Sequence, residues 1–250
     1  TFNVDVSGIA DVPVVNFSDA SGAEDLAIPL DVSAALADLD GSESITNITI
    51  SGVPTGATLS AGTQNPNGTW TLTPAQLTDL QITAPPNASE DFVLEISVTA
   101  TEVSGNSTTN TVNVAVDVSG IADAPTVGGA DVVGIEDTAI PLNIGISFVD
   151  TDGSESLSVT IGGVPDGATL NVGGGDIAPD ADGNVIVSAT PAEIAAISMT
   201  PPENFSGDVV LNVVATTSED GTAATTVADL SVHVTGAADA AIVTVTDATG

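Results

Sequence analysis

The chain has 250 residues and no Lys or Arg against 34 Asp plus Glu, a formal charge of −34. Nothing in it can neutralise phosphates, so nucleic-acid binding is excluded, anionic membrane surfaces repel it, and a Lys Schiff base, a Ser–Lys nucleophile or a Lys–Asn isopeptide cross-link is ruled out. The chain is 42% apolar, with one Trp, five Phe and no Cys; it has the means for an aliphatic core, unlike apolar-poor disordered acidic chains, and no disulfide or thiolate chemistry.

Residues 1–11 read as the end of a preceding repeat. A first module follows over 12–123, a second over 124–239, and 240–250 read as the start of another, so the segment reads as a piece of something longer. Self-similarity carries this division. DVSGIAD stands at 5–11 and at 117–123, GAEDLAIPL at 22–30 against GIEDTAIPL at 134–142, DLDGSES at 38–44 against DTDGSES at 150–156, and GVPTGATL at 52–59 against GVPDGATL at 163–170. The boundary appears a third time as GAADA at 236–240.

Along each module, short β-branched, alternating runs are bounded by Gly, Pro, Asn and Asp. In the first these are AIPLDV at 27–32, ITNITIS at 45–51, FVLEISVTA at 92–100 and TVNVAVDV at 111–118. About seven such runs per module predict an all-β, immunoglobulin-like or cadherin-like β-sandwich, with a barrel as the alternative. TPAQ at 73–76 and TPAE at 190–193 place Thr at N-cap, Pro at N1 and Gln or Glu at N3, which predicts one helical turn per module. No apolar run is long enough to cross a membrane, and no secretory leader is evident.

The acids recur at turns. Asp38, Asp40 and Glu43 fall in one loop, and Asp150, Asp152 and Glu155 in its repeat. Glu102 and Glu219 follow the penultimate strand. Asp11, Asp123 and Asp239 stand at the module boundaries. In a Greek-key sandwich the loops of Asp38 and Glu102, and the entering Asp11, share one end. Glu24 with Asp25, and Glu136 with Asp137, precede the second strand and should lie at the other end. The base of the first module should then face Asp123 and the top of the second. Convergent carboxylates with no cationic partner repel, and about six to eight hard oxygen ligands suit Ca²⁺. These 15 residues are the candidate calcium ligands. The competing reading is that Asp-x-Asp-Gly is an ordinary turn.

Catalysis is not expected. The single His233 lies in the alternating run DLSVHV and reads as a solvent-facing strand residue, with no Cys, Lys or Tyr to complete a nucleophile–base pair. Trp70, the only Trp, has an aliphatic counterpart near 185–187 and reads as a core or edge-strand residue rather than a sugar platform. Six Asn-x-Ser/Thr triplets, at Asn16, Asn47, Asn67, Asn87, Asn106 and Asn204, fit chance in so polar a chain.

These motifs resemble cadherin repeats, which carry a Glu before the second strand, a DxD loop after it, an acidic residue after the penultimate strand and an acidic linker ending in Pro. Glu24 and Glu136, Asp38/Asp40 and Asp150/Asp152, Glu102 and Glu219, and ADVP or ADAP stand at those places. The chain departs from cadherins in two respects: the linker holds a single Asp, and the second acidic motif at the module base has no match. EDTAIPL, DxDGSE, GVPxGAxL and ADAP resemble more closely the tandem Ig-like, cadherin-like repeats of large bacterial RTX adhesins exported by type I secretion. That resemblance implies a secreted, cell-surface, calcium-rigidified extender whose partners are neighbouring repeats of the same chain. Lateral or end-to-end homotypic association, as in a filament or surface layer, and a module binding a glycan or protein ligand stand as alternatives.

Overall fold

A computed structural model describes residues 2–3, 8–150 and 152–240. Of the expected preceding repeat at 1–11, residues 1 and 4–7 lie outside the described residues, and of the expected following one at 240–250, residues 241–250 do. The chain forms two compact units, Thr1–Ile121 with Asp150–Ser154, and Ala122–Val149 with Glu155–Gly250.

The first unit contains β1 (Val14–Phe17), β2 (Ala20–Ala23), β3 (Ala27–Pro29), β4 (Val32–Ala35), β5 (Glu43–Ser51), β6 (Thr58–Leu59), β7 (Thr63–Gln64), β8 (Trp70–Leu72), β9 (Gln81–Thr83), β10 (Phe92–Glu102) and β11 (Ser107–Ser119). One sheet runs β2-β11-β10-β5-β8-β7, and opposite it lie β3-β9-β6 and the pair β1-β4. Alternation explains the layering. Ile48, Ile50, Leu94, Ile96, Val98, Val114 and Val116 point inward from the larger sheet and meet Ile28, Leu30, Val32, Leu59, Leu80 and Ile82. The odd positions between them face solvent and carry Ser and Thr, whose hydroxyls pair across the strands: Ser97 with Thr111 and Thr99 with Thr109, both at 2.8 Å. Two faces packed over an aliphatic core make this a sandwich, which excludes the barrel.

The second unit repeats the plan with β12 (Thr126–Gly128), β13 (Val132–Ile135), β14 (Ile140–Pro141), β15 (Gly145–Ser147), β16 (Ser156–Gly162), β17 (Thr169–Val172), β18 (Gly175–Ile177), β19 (Val185–Val187), β20 (Ser198–Thr200), β21 (Gly207–Glu219) and β22 (Thr222–Thr235). Its sheets are β13-β22-β21-β16-β19, β14-β20-β17-β18 and β12-β15. In both units the chain enters on one sheet and switches to the other, where β2 runs parallel to β11 and β13 parallel to β22.

The two N-cap motifs form short turns: a 3-10 turn at Pro74–Leu77, and α1 (Pro191–Ala195) with Thr190 and Glu193 bonded reciprocally. Trp70 pairs with Ile50 as Val185 pairs with Ile161, so its counterpart is aliphatic. Trp70 is partly buried against the first core. His233 stands on the solvent side of β22, with Nδ1 2.5 Å from Asp208 Oδ1. Among the described residues, no helix is long and apolar enough to cross a membrane.

Candidate metal centre

Antiparallel pairing brings Glu43 and Glu102 to one end of the first unit. Strand β10 finishes where β5 begins, so Glu102 pairs directly with Glu43 across the ladder. Both are buried, at 7% and 8% exposure. Like charges placed opposite each other destabilise a sheet, and this chain has no Lys or Arg to intervene.

The loop preceding β5 supplies the next two carboxylates. Asp38 Oδ1 accepts the N–H of Asp40 at 2.9 Å, and Asp40 Oδ1 accepts the N–H of Ser42 at 2.8 Å. Each Asp thereby fixes the turn two residues on, and Gly41, at φ +91°, supplies the left-handed residue within it. The Ser42 hydroxyl lies 2.5 Å from Asp40 Oδ1 and 3.0 Å from Glu102 Oε1. Its single proton links the loop to the buried pair, and it holds the Asp40 carboxyl below its ordinary range, with the Ser42 N–H adding to the effect.

The entering linker closes this end. Glu43 Oε1 accepts the N–H of Asp11 at 2.5 Å, leaving Oε2 buried with no hydrogen-bond partner. A Cβ on Gly8 would sit 2.5 Å from Glu102 Oε1, so any larger residue here would push the carboxylate aside. Asp11, Asp38, Asp40, Glu43 and Glu102 are therefore joined through shared bonds, a common turn and one ladder position.

The second unit carries Asp123, Glu155 and Glu219 at its corresponding end, while the repeated Asp150–Ser154 loop groups with the first unit. Glu155 Oε1 accepts the N–H of Asp123 at 2.6 Å. Glu219 is 6% exposed, and neither of its carboxylate oxygens has a hydrogen-bond partner. The repeated loop has the same turn, with Asp150 Oδ1 accepting from Asp152 N–H at 2.9 Å and Asp152 Oδ1 from Ser154 N–H at 2.8 Å. The Ser154 hydroxyl, also on Asp152, is the main cause holding that carboxyl below its ordinary range. Asp150 is buried and belongs to the first unit.

The opposite end of each unit carries the other pair of acids. Glu24 Oε1 accepts the N–H of Ile121 at 2.7 Å, and Glu136 Oε1 that of Ala237 at 2.5 Å, so each buried Glu grips the chain as it leaves its last strand. Asp25 and Asp137 are exposed, adopt φ of 57°, and accept the N–H of Asn87 and of Asn204, both at 3.1 Å. These two are turn-formers on this geometry. Asp239 is exposed.

An all-oxygen donor set with buried carboxylate oxygens lacking donors fits a hard cation such as Ca²⁺ and does not fit a soft metal. Residues that the motif spacing passes over also shape these ends. Asn106 Oδ1 accepts the N–H of Ala10 at 2.8 Å, and Thr222 Oγ1 accepts that of Ala122 at 2.7 Å. The two hairpins carrying them differ in length and sequence, so repeat comparison does not align them.

No protein-family model matches the chain, and no curated protein sequence does. Among solved structures, the chain is similar to protocadherin gamma B2 extracellular cadherin domains 1–5, at 14% identity and a TM-score of 0.44, covering 91% of this chain and 41% of that one. It is also similar to human CDH23 EC21-23, at 9% identity and a TM-score of 0.46, covering 87% and 67%. The D00-D0 domain of intimin matches at 14% identity and a TM-score of 0.31, covering 87% and 98%. The chain thus spans about two fifths of the protocadherin chain. An endo-fucoidan hydrolase of glycoside hydrolase family 107 matches at a TM-score of 0.27, with 29% of that chain covered.

Proposed function

We propose that this chain is a non-catalytic extender segment of a secreted bacterial surface adhesin, whose Ig-like, cadherin-like modules are stiffened by Ca²⁺. The observation that carries the reading is the buried Glu43–Glu102 pair, set face to face in a chain with no cationic side chain. Such a pair is costly unless a cation is bound.

In the first unit the cation's oxygen ligands would come from Asp11, Asp38, Asp40, Glu43 and Glu102. In the second they would come from Asp123, Glu155 and Glu219. Glu24, Asp150 and Asp152 would offer further oxygen ligands in the first unit, and Glu136 and Asp239 in the second; Asp25 and Asp137 would shape turns. When bound, Ca²⁺ would supply positive charge and fix the ligands around it. Linker residues and module residues would then share one ion, and the linker would lose its freedom. Extracellular modules bind Ca²⁺ at about 10⁻⁴–10⁻³ M, the range secreted chains meet. The partners on this reading are neighbouring repeats of the same chain.

Small-angle X-ray scattering on the 250-residue chain, in calcium and then in chelator, tests the reading. The expected result is a longer maximum dimension in 5 mM Ca²⁺ (about ten times the usual affinity range) and a more flexible ensemble in chelator. An identical profile in both would overturn the stiffening role and leave the acidic loops as turns.

A further inference from the structure

Each unit holds the chain that enters it by a polar side chain on the hairpin joining its last two strands. In the first unit the N–H of Ala10 donates to Asn106 Oδ1 at 2.8 Å, and the Ser104 hydroxyl donates to the carbonyl of Gly8 at 3.1 Å. In the second, the N–H of Ala122 donates to Thr222 Oγ1 at 2.7 Å, and that hydroxyl in turn donates to the carbonyl of Glu219 at 2.7 Å. Ala10 and Ala122 occupy the same place in the repeated SGIAD string and are both buried. Their captors are chemically unlike: an amide on a hairpin that turns through 103–106, and a hydroxyl just after the tight Asp220, Gly221 turn. Two different solutions for the same amide argue that the capture itself is what the fold requires. Thr217 adds a second hold in the second unit. It is 0% exposed, and its hydroxyl lies 2.5 Å from the carbonyl of Asp123. Its position in the first unit, one past Thr99, is Ala100.

We propose that Asn106 and Thr222 are linker latches: positioning residues that seat the entering linker on its own module before any cation is bound. The amide of Asp11 or Asp123, one residue on, then meets Glu43 or Glu155, and the acids of that end are held in place for the ion. The role toward Ca²⁺ rests on the function proposed above, whereas the latch itself does not.

Amide hydrogen exchange by NMR on the full chain, in chelator, reads the latch directly. The amides of Ala10 and Ala122 should exchange at least about fivefold more slowly than unstructured chain, the factor to which one net hydrogen bond amounts. Thr222→Val keeps the branched shape at an exposed position and should release Ala122 alone, while Thr222→Ser should keep it protected. Asn106→Leu should release Ala10 alone. Free exchange of both amides in the wild-type chain would overturn the latch, and so would loss of protection at neither or both in a single variant. Calorimetric titration with Ca²⁺ reads the second half: Thr222→Val should weaken part of the binding by about fivefold, with Thr222→Ser restoring it. Calcium bound with unchanged affinity by a variant whose latch is open would overturn the positioning role. Protected amides in a wild-type chain that binds no calcium would keep the latch and overturn the proposed function instead.

Discussion

Glu43 and Glu102 face each other across β5 and β10 with almost no exposure, and Glu43 Oε2 has no donor. A buried group left in this state costs roughly 1–3 kcal/mol. Glu43→Gln removes one charge of the pair at nearly constant volume. In chelator it should raise the melting temperature of the first unit by about 4 °C or more, since ~1 kcal/mol moves a domain of this size that far. In Ca²⁺ the order should reverse, because the variant has lost a ligand. Thermal unfolding by calorimetry with and without calcium checks both signs, and a variant that is less stable in both conditions would sink the ligand assignment. The acids at this position were legible in the sequence because DxDGSE recurs. Their partners Ser42 and Ser154 stood in the same motif, and only the bonds to Asp40, Glu102 and Asp152 reveal their part. Asn106, Thr217 and Thr222 were not legible at all. They act through contacts about 100 residues away in sequence, and such pairing leaves no local periodicity to read.

At the scale of elements, what the sequence declared were features closed within a few residues. TPAQ and TPAE each form the turn their capping boxes specify, and alternation in FVLEISVTA and TVNVAVDV gives the core face of β10 and β11. The pairing of short strands was hidden. β7 extends the main sheet of the first unit, whereas β18 joins the opposite sheet of the second; that choice is settled by tertiary packing, which overrides weak local preference. The two capping boxes also differ in one testable way. Glu193 Oε2 accepts the Thr190 N–H at 2.8 Å, which holds its carboxyl below the ordinary range, while Gln76 makes the same bond without a charge. A depressed folded pKa stabilises the folded state above the unfolded value of about 4.5 and ceases to do so as pH falls through the lower folded one. The second unit's turn should therefore weaken as pH drops below about 4.5, and Glu193→Gln should make it as indifferent to pH as the first. Hydrogen exchange at Ile194 and Ile197 between pH 5 and pH 3 (about the range the carboxyl titrates across) measures this. An unchanged pH dependence in the variant would show that Glu193 is not its source.

For the whole chain, a charge of −34 with no positive side chain means that every folded state works against its own repulsion. Two kinds of cation effect must be told apart. Screening depends on ionic strength alone, with a Debye length falling from about 30 Å at 0.01 M to about 3 Å at 1 M. Site binding stabilises by mass action, in proportion to the logarithm of ligand over dissociation constant. Surface acids such as Asp25 and Asp137 feel mainly the first. On the function proposed above, buried acids with unpartnered oxygens, Glu43 and Glu219, would answer to the second, because mobile counterions outside the protein do little for a charge within it. Melts in chelator should therefore rise gradually with NaCl, while CaCl₂ at matched ionic strength should add a further step of about 1.4 kcal/mol per site at tenfold excess over its dissociation constant. The step should keep growing with the logarithm of free Ca²⁺ and should be smaller in Glu43→Gln. Equal stabilisation by the two salts would mean that the carboxylates are merely screened, and the buried Glu43–Glu102 pair would then be a cost the sandwich carries unaided.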